Sequence, residues 1–119
     1  MYRSIDSITY GNGDTYAGDM QCRERHGKGT MTYSNGDIYS GEWVRNKRCG
    51  VGIICYANGN RYNGEWFDDT NYYGLMTYNN GDTYYGDFRN GVPHGVGKMC
   101  YANGSSLFGF WHEGEWAPQ

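Results

Sequence analysis

Apolar and polar residues alternate in short runs, and glycine-bearing turn signals end each run early. Between Asp37 and Trp43, residues Tyr39, Gly41 and Trp43 fall on one side of an extended chain, with Ile38, Ser40 and Glu42 on the other, because strand side chains alternate with period two. Between Gly50 and Tyr56 one side takes Gly50, Gly52, Ile54 and Tyr56, and the other takes Val51, Ile53 and Cys55. These runs are too short and too rich in glycine for helices. Asn-Gly, a strong hairpin-turn pair, closes them at Asn12-Gly13, Asn35-Gly36, Asn58-Gly59, Asn80-Gly81 and Asn103-Gly104. A longer polar turn, such as the stretch from Val44 to Cys49, separates the two runs of each unit. The pattern predicts an antiparallel ladder with two strands per unit.

The units repeat. Starting each at a tyrosine gives Tyr10, Tyr33, Tyr56, Tyr78 and Tyr101, at intervals of 23, 23, 22 and 23 residues. The chain reads as one array, 1–119, with repeats 10–32, 33–55, 56–77, 78–100 and a partial 101–116. Residues 2–9 match the tail of a preceding unit. The third unit is one residue short and carries Tyr72 in place of a repeated glycine.

Residues opposite one another in a ladder share a face, which fixes the register. A two-residue loop at Asn35-Gly36 would set Met31 against the wrong parity. A three-residue loop, Ser34-Asn35-Gly36, with Gly36 left-handed after a type I turn, sets Met31 opposite Tyr39, Gly29 opposite Gly41 and Gly27 opposite Trp43. The glycines then leave room for a ring to lie on the sheet, and stacked rings supply the burial that a single layer otherwise lacks.

Composition agrees with that picture. Of 119 residues, 20 are Gly, 13 Tyr, 4 Trp and 4 Phe, while apolar residues reach only 38 %. Mean hydropathy is −0.84, and no stretch approaches the roughly 18–20 apolar residues of a membrane-spanning helix. An aromatic content of 18 % argues against disorder. A net charge of −3 lacks the basic footprint of nucleic-acid binding. Cys22, Cys49, Cys55 and Cys100 form no C-x-x-C pair, so zinc and redox spacings are missing. No apolar run opens the chain in MYRSIDSITY, which suggests a cytoplasmic address with reduced thiols.

The motif Y-x-G-[DE]-[WF], followed by G-x-G and Y-x-N-G-D, resembles the MORN repeat (membrane occupation and recognition nexus). Its matching residues are Tyr16-Gly18-Asp19, Tyr39-Gly41-Glu42-Trp43, Tyr62-Gly64-Glu65-Trp66 and Tyr84-Gly86-Asp87-Phe88, with Gly27/Gly29, Gly50/Gly52 and Gly95/Gly97. The resemblance implies an all-β fold: an elongated, twisted, single-layer antiparallel sheet of stacked hairpins. It also implies a non-catalytic scaffold, in a cytoskeletal or ciliary setting, that docks a helical or extended partner segment or a second copy.

Candidate chemistry is sparse. His26 and His94 each precede a repeated glycine, but equivalent positions lie two strands, about 9–10 Å, apart, too far to share an ion. His112 reads as a surface histidine. Asp19, Glu42, Glu65 and Asp87 stack at one position per unit and read as a solvated row, paired across the ladder to Lys28 or a hydroxyl such as Thr30. Gly27-Lys28-Gly29 and Gly50-Val51-Gly52 precede no helix, so they are not phosphate loops. No cofactor, metal site or catalytic set is expected.

Two surfaces remain. Arg23, Arg25, Arg45, Lys47 and Arg48 crowd the long loops of the first two units, an alternative site for an anionic phospholipid. Partner docking is assigned to Tyr39, Trp43, Tyr62 and Trp66 on one face, and to Val51, Ile53, Leu75, Phe108 and Phe110 on the other. Phe108 and Phe110 stand on the last full strand, where a charged guard against edge pairing would be usual. The edge is therefore read as a contact surface, and the intramolecular alternative is that Trp116, after a short acidic turn, folds back over the two rings.

Overall fold

The computed structural model describes residues 3–117, with side chains described from Ser7 onward. Eleven strands follow in order: β1 (Arg3–Thr9), β2 (Thr15–Gln21), β3 (Glu24–Thr32), β4 (Ile38–Val44), β5 (Lys47–Cys55), β6 (Arg61–Phe67), β7 (Thr70–Thr77), β8 (Thr83–Arg89), β9 (Val92–Cys100), β10 (Ser106–His112) and β11 (Glu115–Trp116). They form one antiparallel sheet in chain order, and no helix occurs among the described residues. The molecule measures 48 × 24 × 20 Å, the length of a stack of strands about 4.8 Å apart. Of the segment 2–9 assigned to a preceding unit, residue 2 lies outside the described residues and the rest forms β1. The ends of the 1–119 array also lie outside them.

The hairpin loops have the predicted length. Thr32 pairs with Ile38, Met31 with Tyr39, Gly29 with Gly41 and Gly27 with Trp43. The Gly36 N–H donates to the Tyr33 carbonyl at 2.9 Å, and the Tyr33 N–H donates to Asp37 O at 2.8 Å. Gly36 has φ 99, a left-handed value that a Cβ disfavours. The turns are also stitched to one another. Asp14, Asp37 and Asp82 carboxylates each accept a backbone N–H from the next turn, at Ser34, Ala57 and Ala102, all at 2.8 Å.

One face of the sheet is the core. Tyr16, Tyr39, Tyr62 and Tyr84 are 0 % exposed. Each lies across a pair of facing glycines: a Cβ on Gly52 would come within 2.5 Å of Tyr39 Cε1 and Cζ. Each hydroxyl donates to a backbone carbonyl three residues on, at Asp19, Glu42, Glu65 and Asp87, over 2.6, 2.9, 2.8 and 2.9 Å. The rings meet edge to face in an unbroken series, Tyr16–Trp43–Tyr39–Trp66–Tyr62–Phe88–Tyr84–Trp111, with centroids 5.1–5.6 Å apart. Such pairs are worth about 0.5–1.5 kcal/mol each beyond area burial. Trp43, Trp66 and Trp111 donate their indole N–H to Gly29, Gly52 and Gly97 carbonyls at 3.1, 3.1 and 3.0 Å. Phe88 takes the tryptophan position in its hairpin without that donor.

Burial has an electrostatic consequence. Taking the phenols out of water disfavours their anions, raising the Tyr16 hydroxyl to about 12. The same desolvation, first among several causes, pushes Tyr39, Tyr62 and Tyr84 up as well.

Candidate functional site

The opposite face is uncovered. Pairing places Thr30, Ser40, Ile53, Asn63, Leu75, Tyr85, Lys98 and Phe108 in one row across β3 to β10. In the neighbouring row Val51, Glu65 and Tyr73 stand side by side, as do Tyr73 and Asp87, and Val96 and Phe110. The N-terminal third of this surface is mostly polar, with Ile38 and Val44 of β4 exposed beside Ser40. From β5 onward it exposes Val51, Tyr73, Leu75, Tyr85, Val96, Phe108 and Phe110. Ile53 lies half-buried among them, and Tyr73 meets Tyr85 edge-on at 5.4 Å. Tyr85 and Val96 extend the residue set read from the sequence. The alternation in the fourth unit carries the same signal as in the second, and would have found both.

Phe108 and Phe110 are 69 % and 48 % exposed. Trp116 does not cover them. It pairs opposite Trp111 on the core face, where its Nε1 would lie 3.3 Å from a Cβ on Gly109. Trp116 holds the register position that Arg48 occupies opposite Trp43, so the acidic turn returns it to the ring side. The two-residue β11 pairs only with Trp111 and His112, leaving the outer edge of β10 from Ser106 to Gly109 outside that pairing.

The four docking anchors assigned to the ring face are corrected by burial. Tyr39, Trp43, Tyr62 and Trp66 are 0–3 % exposed and are already consumed by the ring series and by the glycine pairs. An aromatic stripe on a single-layer sheet is its core, and these four offer no surface to a partner.

The basic cluster is also rearranged. Arg25 crosses the ring face, with its guanidinium 5.0 Å from the Trp43 centroid and 5.3 Å from Tyr10. It donates to the Tyr10 hydroxyl and the Asn46 carbonyl, each at 3.0 Å. Arg48 repeats the arrangement 4.5 Å over Trp66. It donates to the Asp69 carboxylate at 2.6 Å and to the Asp69 carbonyl at 3.1 Å. Lys47 lies 3.8 Å from Asp68. Of the five cations assigned to a lipid site, Arg25 and Arg48 are thus structural straps, and Lys47 and Arg48 each face a carboxylate. Arg23 and Arg45 stay exposed at the loop tips.

The acidic row has a different partner from the one expected. Asp19, Glu42 and Asp87 accept the backbone N–H of Lys28, Val51 and Val96 at 3.0 Å each. Those amides sit at the bulge that follows Gly27, Gly50 and Gly95, whose φ values are 106, 90 and 108. Thr30 instead shares a hydrogen bond with Ser40 at 3.0 Å. In the third hairpin, one residue shorter, the register shift between Glu65 and Trp66 falls at Tyr72 instead of a glycine, and the Tyr72 hydroxyl donates to Glu65 at 2.8 Å. The departure at Tyr72 is therefore a substitute partner for the carboxylate.

The histidines act on backbone. Nδ1 of His26 accepts the Arg45 N–H at 3.2 Å, and Nδ1 of His94 accepts the Glu113 N–H at 3.1 Å. Each ties one long loop to the next. His112, exposed as expected, has its ring centroid 5.0 Å from that of His94, a neighbour across β9 and β10 that spacing along the chain did not reveal. Among the described residues no three His, Cys, Asp or Glu converge as a metal site would require.

On the ring face, a cleft of about 440 Å³ opens between the second and third hairpins. It is bordered by Tyr56, Trp66 and Asp69, and by Asn71, Asn90 and Gly91. Asn71 pairs opposite Trp66, as Arg48 does opposite Trp43. It is 5 % exposed, and its Nδ2 has no hydrogen-bond partner.

The MORN-repeat family model matches residues 16–38, 39–61 and 84–106. The intervening stretch, 62–83, holds the short hairpin with Tyr72. Comparison with curated proteins finds no match. MORN repeats generally serve as protein-interaction or membrane-binding modules, and their proteins are generally non-catalytic scaffolds. With three matched repeats spanning more than half of its length, and a sheet of stacked glycine-and-ring hairpins, this chain belongs to the MORN-repeat family.

Proposed function

We propose that the protein is a non-catalytic interaction scaffold whose docking surface is the uncovered face from β5 to β10. The observation carrying this reading is the pair of exposed phenyl rings, Phe108 and Phe110, at the end of a face whose apolar residues are interleaved with Asn63, Glu65, Asp87 and Lys98. The outer edge of their strand is paired at Trp111 and His112 and bonded at the Phe110 carbonyl by the Ala117 N–H, which leaves the stretch from Ser106 to Gly109 outside that pairing. Clustered exposed apolar side chains mark interaction sites, and an edge without a charged guard invites another strand. The occupant is an extended segment of a protein partner, laid along β10, with alternate side chains on the phenyl rings. A cytoskeletal or ciliary setting is proposed on family resemblance alone. Lipid binding through the loop cations is the weaker reading, because Arg25 and Arg48 are engaged on the ring face.

The test places a photo-crosslinking residue at position 108 and, as a control, at Thr32. Adducts from position 108 whose partner peptides map to one extended segment, and which disappear on Phe110→Glu, support the reading. Adducts only between copies of this chain, with a doubled mass in light scattering, replace the partner with a second copy. Equal adducts from both positions refute the surface.

A further inference from the structure

The third hairpin lacks a part that the first two possess. In those hairpins an arginine runs from the loop end of its strand across the ring face, lying over the tryptophan of the next hairpin. Arg25 reaches the Tyr10 hydroxyl at 3.0 Å, and Arg48 lies 5.8 Å from Tyr33. Both tyrosines open the hairpin unit of the arginine concerned. The equivalent position in the third hairpin is Asn71, opposite Trp66, with Tyr56 as the equivalent tyrosine. Asparagine is too short to cross that distance. The cleft of about 440 Å³ runs from the Arg48 strap of the second hairpin to the place where the third strap is missing, and Tyr56 and Asn71 are both in its lining.

Asn71 adds a second, independent sign. Its side chain is 5 % exposed, and its Nδ2 is without a partner. An unsatisfied buried polar atom is rare in a native fold. The amide can turn over to present oxygen or nitrogen, so it can serve either sense of hydrogen bond from an occupant. The cleft's charged groups are Asp37, Asp69 and Arg48; Asp69 is neutralised by its ion pair with Arg48, so Asp37 leaves the cleft one net negative charge, which favours a cation. Of its aromatic borders, Tyr33 and Trp66 already lie against the Arg48 guanidinium, and the half-buried Tyr56 is the lining ring left for a planar cation to stack on.

We infer that this cleft binds the guanidinium of an arginine side chain supplied by another protein segment, replacing in trans the strap that Arg25 and Arg48 supply in cis. The site lies on the opposite side of the sheet from the docking face proposed above and does not depend on it.

The experiment titrates N-acetyl-arginine amide, and separately N-acetyl-lysine amide, into the full chain, following backbone amide shifts by NMR. Saturable shifts centred on Tyr56, Asn71 and Asn90, with at least tenfold weaker binding of the lysine compound, are expected. Asn71→Arg supplies the group from the chain itself: it is expected to raise the melting temperature and to weaken arginine-amide binding at least tenfold. Asn71→Ala, which keeps the cleft open, retains a saturable response. Equal responses to the two compounds, shifts centred elsewhere, or undiminished binding in a folded Asn71→Arg protein would each overturn the assignment. So would a lower melting temperature for Asn71→Arg, since the cleft would then not accept a guanidinium. Loss of crosslinking at position 108 would leave this result untouched, so the two readings fail separately.

Discussion

Gly52→Ala is the sharpest probe of the architecture, since it adds one methyl group at the point where ring and backbone are closest. The new Cβ would stand 2.5 Å from Cε1 and Cζ of Tyr39, well inside van der Waals contact, and the ring itself is fully buried. If the ring holds its place, the sheet must shift, with an overpacking penalty of about 1–3 kcal/mol. If the ring is displaced, it loses edge contacts to Trp43 at 5.1 Å and Trp66 at 5.2 Å, about 0.5–1.5 kcal/mol each. It also loses the hydroxyl bond to Glu42 O at 2.9 Å, a further ~0.5–1.5 kcal/mol. The first route therefore costs about 1–3 kcal/mol and the second about 1.5–4.5 kcal/mol, in either case a large share of the ~5–15 kcal/mol stability of a typical domain. Urea unfolding followed by tryptophan fluorescence measures it. Thr30→Val, on the uncovered face, should change stability by no more than ~0.5 kcal/mol. A double-mutant cycle isolates the contact: in a Tyr39→Ala background, Gly52→Ala should become nearly neutral. Equal effects of Gly52→Ala with and without the Tyr39 ring would refute the reasoning.

Glu42→Ala should destabilise by about 1 kcal/mol, because the Val51 N–H loses its charged acceptor. Glu65→Ala should lose less, since its partner is the exposed Tyr72 hydroxyl, and thermal melts of the two variants rank them. Arg48→Met should destabilise by about 1–2 kcal/mol through loss of the stacking on Trp66 and of the Asp69 bonds, a change readable in the same urea titration. Alkaline unfolding should begin near pH 10: the four buried phenols have raised values in the fold, so their contribution is complete below the unfolded value and falls as pH rises toward the folded ones. Each adds a slope of roughly −1.4 kcal/mol per pH unit in that window, and phenolate absorbance at 295 nm should rise together with loss of the ring-face circular dichroism.

Register and turn type were legible because both depend on parity. Gly36 after Asn35 admits one loop length if Met31 and Tyr39 are to share a face, and the glycine pairs then follow without adjustment. What periodicity cannot convey is reach. Arg25 and Arg48 stand among loop charges in the sequence, yet their long stems carry them across the sheet to Trp43 and Trp66. The carboxylates of Asp19, Glu42 and Asp87 likewise serve the backbone of a glycine bulge, whose geometry is set by φ rather than by side-chain order. Parity also separated the two faces without saying which one was sealed. Trp43 and Trp66 became core because rings on a glycine floor bury one another, which left Phe108 and Phe110, with Tyr73 and Tyr85, among the aromatics exposed on the other face.

The ladder of eleven strands in chain order also determines how the molecule bears tension. Its backbone hydrogen bonds run along the 48 Å axis, perpendicular to the strands. A pull on the two ends therefore loads the ladders in series, and the weakest hairpin peels away while its neighbours keep their own ring contacts. A unit of 23 residues pays out roughly 80 Å of extended chain in place of the ~10 Å of two folded strand spacings. Stretched in an optical trap, the array should lengthen in steps of about 70 Å rather than in a single rupture, yielding like a folded ruler while the hairpins still closed continue to present their surface.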